Sequence, residues 1–166
     1  MSAGLTPCSY KLNLDDNSII TGYSSREVIY NNLKFSDINA SLDGRRNLSN
    51  EVIEYKIVLD SSLEKAKTHP YNQEVYRGTD FGDYDNLNTG DFFTENKFLS
   101  TSLNKEKALE YGNNYLFIIK SKTGKFIKPI SLIKADEEVL FGTNKTFKIL
   151  NTKFEGKTKI IYCEEI

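Results

Sequence analysis

The chain has 166 residues, 22 Lys+Arg against 23 Asp+Glu for a formal net charge of -1, and 39% hydrophobic residues, with ten Tyr and ten Phe. This composition supplies a core, excludes wholesale disorder and a membrane span, which needs ~18 consecutive apolar residues, and gives no overall electrostatic footprint for nucleic acid or anionic lipid, leaving only a local patch open. One histidine, His69, and two distant cysteines, Cys8 and Cys163, leave no inventory for a zinc site, a Ser-His-Asp triad or a disulfide framework, so carboxylates, hydroxyls and arginines carry any chemistry.

Met1 to Asp16 lacks a basic stretch followed by an apolar one, so no secretory leader is expected. Ser24 and Ser25 can cap a short helix through Lys34, and Ser36 can begin another that ends near Gly44. The strongest helical pattern follows Ser49, where Val52, Tyr55, Leu59, Leu63 and Ala66 recur at three- and four-residue steps. Thr68-His69-Pro70 stops it, because proline disfavours helix in the residue before it. Beyond Pro70 the pattern turns to strands: Glu74 to Gly78, Lys97 to Ser102, Tyr115 to Lys120, Phe126 to Ile130, Glu138 to Phe141, Thr146 to Asn151 and Thr158 to Glu164. Asp80 to Asp91 reads as a polar loop, and a short helix from Lys105 to Tyr111 is capped by Asn104 and closed by Gly112 at C′. Lys122 to Lys125 and Glu155 to Lys157 read as turns. The expectation is one α+β domain over 1–166, helical to about residue 70 and β-rich from 71.

Some motifs dissolve on their spacing. Gly142-Thr143-Asn144-Lys145-Thr146 echoes a phosphate loop but lacks the glycine before the lysine and lies between strands, so a hairpin turn is expected. Asp80, Asp83, Asp85 and Asp91 miss the calcium-loop spacing and read as solvated charges. Lys120, Lys122, Lys125 and Lys128 would make one wet face of a hairpin.

Three segments concentrate chemistry. Val75-Tyr76-Arg77-Gly78-Thr79 puts an arginine and a glycine at the end of a strand, and Phe98-Leu99-Ser100-Thr101-Ser102 passes from apolar residues to three hydroxyls. Asp136-Glu137-Glu138-Val139-Leu140-Phe141 leads carboxylates into an apolar strand. Each alone is ordinary: a surface arginine, a strand end, a solvated acidic loop.

In this order and spacing, from about Leu63 to Glu164, they resemble the mono-ADP-ribosyltransferases of the Arg-Ser-Glu class, which holds clostridial binary toxins, C3-like exoenzymes and T-even phage enzymes. The resemblance implies helices followed by a mixed, mainly antiparallel two-sheet β core that binds NAD as substrate and needs no metal. It implies that Glu138 hydrogen-bonds the nicotinamide ribose and stabilises the cationic transition state. Arg77 would hold the NAD phosphate, Gly78 would admit the ligand close to the backbone, and Ser100 would orient Glu138, with Thr101 and Ser102 shaping the pocket. Tyr111, eleven residues after Ser100, matches the aromatic that packs near the nicotinamide or phosphates, or else covers the sheet. The basic residue some relatives carry three positions later is Asn114 here.

Asp136 stands where the family has Glu for arginine acceptors or Gln for others. An acid there can orient a guanidinium and take its proton, although aspartate reaches about 1.5 Å less. An arginine of a target protein is the expected acceptor. NAD hydrolysis, transfer to nucleic acid and an inactive binding module are the alternatives. The remaining expectations are a monomer with no membrane or indicated nucleic-acid partner. It would act as a toxin, effector or phage enzyme in the cytoplasm of the producing, infected or target cell.

Overall fold

The computed structural model describes Ile20 and residues 35–66, 73–127 and 137–166. Two helices come first, α1 (Phe35–Leu42) and α2 (Asn50–Lys65). Gly44 closes α1 at φ +81, a conformation that only a residue without Cβ adopts freely. Ser49 caps α2 by accepting from the Val52 N–H at 3.3 Å. The apolar face read from the sequence is the one α2 buries. Val52, Tyr55, Leu59 and Leu63 pack with Ile38 of α1 and with Phe98, Ile127 and Leu140 from the β-rich half. The helix over Ser24–Lys34 and the stop at Thr68-His69-Pro70 fall outside the described residues.

The rest of the chain runs β1 (Glu74–Thr79), β2 (Phe92–Glu95), β3 (Leu99–Ser102), α3 (Lys105–Leu109), β4 (Tyr115–Lys120), β5 (Lys125–Phe126), β6 (Glu138–Phe141), β7 (Lys145–Glu155) and β8 (Thr158–Glu165). Hydrogen bonds order the strands β2-β7-β8-β4-β1-β3-β6-β5, all antiparallel except β4 with β8. The ladder is continuous but narrows between β1 and β3 to one registered pair, Tyr76 opposite Ser102. That narrowing divides it into a five-stranded and a three-stranded part, the two sheets expected. Val75, Phe117, Ile119, Phe147, Ile149 and Ile161 of the first share one apolar core with Leu99, Val139 and Phe141 of the second.

Four local expectations need correction. Phe92–Glu95 is a strand, edged onto β7 in antiparallel register, where none was expected. The segment Gly142 to Lys145 is no hairpin turn, because β6 pairs with β3 and β5 whereas β7 pairs with β2 and β8. It crosses between the two parts of the sheet and is held by Asp60 of α2, which accepts from the Thr143 N–H at 2.9 Å and its hydroxyl at 2.6 Å. Nor do β4 and β5 form a lysine-faced hairpin. Their connection also crosses over, and the buried Glu165 carboxylate accepts from the Lys122 and Thr123 N–H groups at 2.7 Å each. Finally, α3 ends with Glu110 as its C-cap, one residue early for Gly112 to be C′. Gly112 is small for another reason: a Cβ there would lie 2.4 Å from the Asp80 nitrogen.

Candidate active site

Side chains alternate across a strand, so the register decides which functional groups share a face. Ser102 of β3 stands opposite Tyr76 of β1 on one side and opposite Glu138 of β6 on the other. Tyr76, Ser102 and Glu138 therefore form a row across three adjacent strands, and Ser100 lies on the same face two residues along. The expected partner of Glu138 was Ser100, but Ser100 is opposite Leu140, so the hydroxyl set beside Glu138 by pairing is that of Ser102. Thr101 points the other way. Its hydroxyl is buried and donates to the Val139 carbonyl at 2.6 Å, which locks β3 to β6 rather than shaping a pocket.

Arg77 is half-buried, opposite Phe117 of β4, and its Nη1 donates to the Ser100 carbonyl at 3.0 Å. The guanidinium thus spans the narrow junction between the two sheets. Gly78 serves packing. A Cβ at that position would lie 2.3 Å from the Gly112 carbonyl oxygen and 2.4 Å from that of Ala108, so α3 and the turn after it occupy the side a ligand was expected to approach. Tyr111 follows α3 and is 46% exposed. Asp136 lies outside the described residues.

The entry to β6 carries an unusual backbone. Glu137 has φ +47, in the left-handed region that disfavours a residue with a Cβ by roughly 1–2 kcal/mol. Its carbonyl accepts from the Leu103 N–H at 3.1 Å, so the tail of β3 holds the turn from which Glu138 emerges. Positive φ at such a position is a mark of functional sites.

A polar chain that runs from the buried Glu95 out to the surface was missed in the sequence. The Tyr84 hydroxyl donates to Glu95 at 3.2 Å, Glu95 lies 3.6 Å from the Lys97 ammonium, and Lys97 donates to Asp43 at 2.9 Å, next to α1. Burial, then the Glu95 carboxylate, push the Tyr84 phenol well above its ordinary range, while the Arg77 guanidinium pulls it down. The only available signal was alternation in Phe92-Phe93-Thr94-Glu95, whose last residue is the buried one. Among the described residues no cluster of three or more His, Cys, Asp or Glu is placed to hold a metal, and no helix is long and apolar enough to cross a membrane.

An arginine, paired serines and a glutamate on three neighbouring strands form the geometry, and comparison with known proteins decides the family. The sequence profile described as ART: NAD:arginine ADP-ribosyltransferase matches residues 13–166. The chain belongs to this family. Among curated relatives, NAD(P)(+)–arginine ADP-ribosyltransferase 1 of Gallus gallus is 35% identical over 65 residues, 39% of this chain and 21% of that protein. Ecto-ADP-ribosyltransferase 4 of Homo sapiens is 38% identical over 72 residues, 43% of this chain and 22% of that protein. The matched stretch thus spans about a fifth of either relative. Similar solved structures share the fold at lower identity. Exoenzyme S from Pseudomonas aeruginosa, bound to carba-NAD and a 14-3-3 protein, has a TM-score of 0.74 at 20% identity, covering 91% of this chain and 74% of its own. The ADP-ribosyltransferase Vis in complex with agmatine gives 0.74 at 22%, over the same shares. The Clostridium limosum C3 exoenzyme gives 0.70 at 20%, covering 91% of this chain and 84% of its own. The resemblance read from the three motifs therefore names the right family.

Proposed function

We propose that this chain moves ADP-ribose from NAD to an arginine side chain of an acceptor protein and releases nicotinamide. The observation that carries the reading is the adjacency of β1, β3 and β6. It brings the stretches of β1, β3 and β6 that carry Arg77, Ser100–Ser102 and Glu138 within the width of three strands, about 10 Å, and the Arg77 guanidinium, which leaves β1 on the face opposite Tyr76, still reaches the Ser100 carbonyl. Arg77 spends one N–H on the Ser100 carbonyl, which orients its fork and leaves other N–H groups for the NAD diphosphate.

In the reaction the bond between the nicotinamide nitrogen and the ribose carbon breaks, and its electron pair leaves with nicotinamide. Cationic character grows on the ribose. Glu138 supplies a fixed negative charge there and hydrogen-bonds a ribose hydroxyl, with Ser102 beside it to hold the carboxylate in place. An arginine nitrogen of the acceptor forms the new bond to the same carbon, and its surplus proton passes to Asp136.

Glu138→Gln is expected to keep the fold and cut nicotinamide release by ~10²–10³-fold, the scale of losing one preorganised group. Release with NAD and agmatine at the wild-type rate would sink the proposal.

A further inference from the structure

From Gly78 to Asn96 the chain carries five acidic residues, Asp80, Asp83, Asp85, Asp91 and Glu95, and no lysine or arginine. Although it reads as a slack loop, the segment from Asp80 to Asp91 is pinned along its length. The buried Lys159 ammonium donates to the carbonyls of Tyr84, Asp85 and Leu87 at 2.9, 2.8 and 2.9 Å. The Tyr115 hydroxyl donates to Asp85 at 2.8 Å, and the Gly90 N–H donates to the Ile149 carbonyl at 2.8 Å. The Asp80 carboxylate accepts from the Asn113 and Asn114 N–H groups at 2.8 and 3.0 Å, which joins this segment to the turn after α3.

What this scaffold presents is an exposed aromatic. Phe81 is 76% exposed, yet its backbone is held at both ends by one hydroxyl. Its N–H donates to Thr79 Oγ1 at 3.0 Å, and its carbonyl accepts from that hydroxyl at 3.3 Å. Gly82 follows at φ +95, with the Tyr84 ring 2.5 Å from where a Cβ would stand, so the turn beyond Phe81 has room for no larger residue. Tyr111, also exposed, precedes the glycine that touches Asp80. A partner that covers an aromatic on a held backbone has only its two χ angles to order, and aromatic anchors dominate interface energies.

We infer that Phe81, with Tyr111 next to the adjoining turn and Asp80 and Asp83 flanking it in the chain, docks the acceptor protein, a basic surface that presents the target arginine and an apolar side chain to cover Phe81. The inference rests on the reading under Proposed function. Glu138 lies two strands from Tyr76, about 10 Å, and Phe81 lies five residues further along the chain, about 17 Å at strand rise. Both distances fit within one ordinary interface of roughly 800 Å² per partner. Acidic side chains complement the basic surroundings of an arginine acceptor, and steer its approach. Agmatine is too short to touch both Glu138 and Phe81.

The test uses the full chain with labelled NAD, a cell lysate as the source of protein acceptors, and agmatine as the small acceptor. Phe81→Ser is expected to lower labelling of lysate protein at least tenfold. Its kcat/KM for agmatine and its nicotinamide release without acceptor should stay within twofold of wild type. Phe81→Tyr should restore protein labelling, and Asp83→Lys should reduce it and flatten its salt dependence. Equal loss of protein and agmatine transfer would place Phe81 in NAD binding or folding and overturn the inference. So would undiminished protein labelling in Phe81→Ser, or a wild-type chain that modifies agmatine but no protein. A wild-type chain that releases no nicotinamide with either acceptor would instead refute the proposed function itself.

Discussion

At the scale of single residues, hydrogen-bond geometry separates groups that act from groups that hold. Arg77 makes its bond with one arm of a planar fork, so Arg77→Lys should weaken NAD binding about tenfold, because an ammonium cannot serve the Ser100 carbonyl and a diphosphate in the same plane. Calorimetric titration with NAD checks this, and unchanged affinity would return Arg77 to a structural role. Lys159 is the opposite case. Its three donors all end on backbone carbonyls, so Lys159→Met should strand three acceptors and cost about 3 kcal/mol, read as a lower urea midpoint. Glu137 separates the two kinds of cost. Glu137→Gly removes the penalty of its positive φ but frees the turn that aims Glu138, so kcat should fall while stability stays within about 1 kcal/mol.

At the scale of elements, strands with sharp polar boundaries were legible and those without were not. Tyr115–Lys120 and Glu138–Phe141 run as expected to the residue, because apolar runs there meet Asn, Gly or acidic neighbours. Phe92–Glu95 was lost because only Glu95 of its four residues is buried, and Gly90-Asp91 before it reads as more loop. Register was beyond reach as well. Choosing Ser102 over Ser100 as the neighbour of Glu138 depends on which residues of two separate strands pair, and no local pattern records that. Glycines misled for a related reason: Gly78 and Gly112 looked like a ligand approach and a helix cap, whereas each is small because the other's segment presses on it. Gly78→Ala should therefore destabilise the protein by about 1–3 kcal/mol through overpacking, measured as a shift in melting temperature, with activity falling as α3 is displaced.

At the scale of the whole molecule, several buried groups share one electrostatic bias. Burial pushes Tyr55 above its ordinary 10.0 and Cys163 above its ordinary 9.0, and burial with Glu95 does the same to Tyr84. Each holds its proton more tightly folded than unfolded. The stability they contribute is complete below about pH 9 and declines as pH rises past the unfolded values of 9.0 and 10.0. Urea midpoints should fall between pH 9 and 11, and Tyr84→Phe should flatten the upper part of that fall. A midpoint independent of pH over this range would contradict the burial of these groups.

The single registered pair between β1 and β3 also acts as a pivot. Arg77 stands on one side of it and Glu138 on the other, so their separation depends on the shared core and the Arg77–Ser100 hydrogen bond that hold the two parts of the sheet at one angle. Over a lever arm of about 10 Å, a rotation of roughly 6° moves one group past the other by about 1 Å, a misplacement worth ~10²-fold in rate. Warming should therefore disable turnover while both sheets remain intact. The midpoint for loss of activity should lie several degrees below the midpoint for loss of circular dichroism, and a non-hydrolysable NAD analogue bridging the pivot should close that gap.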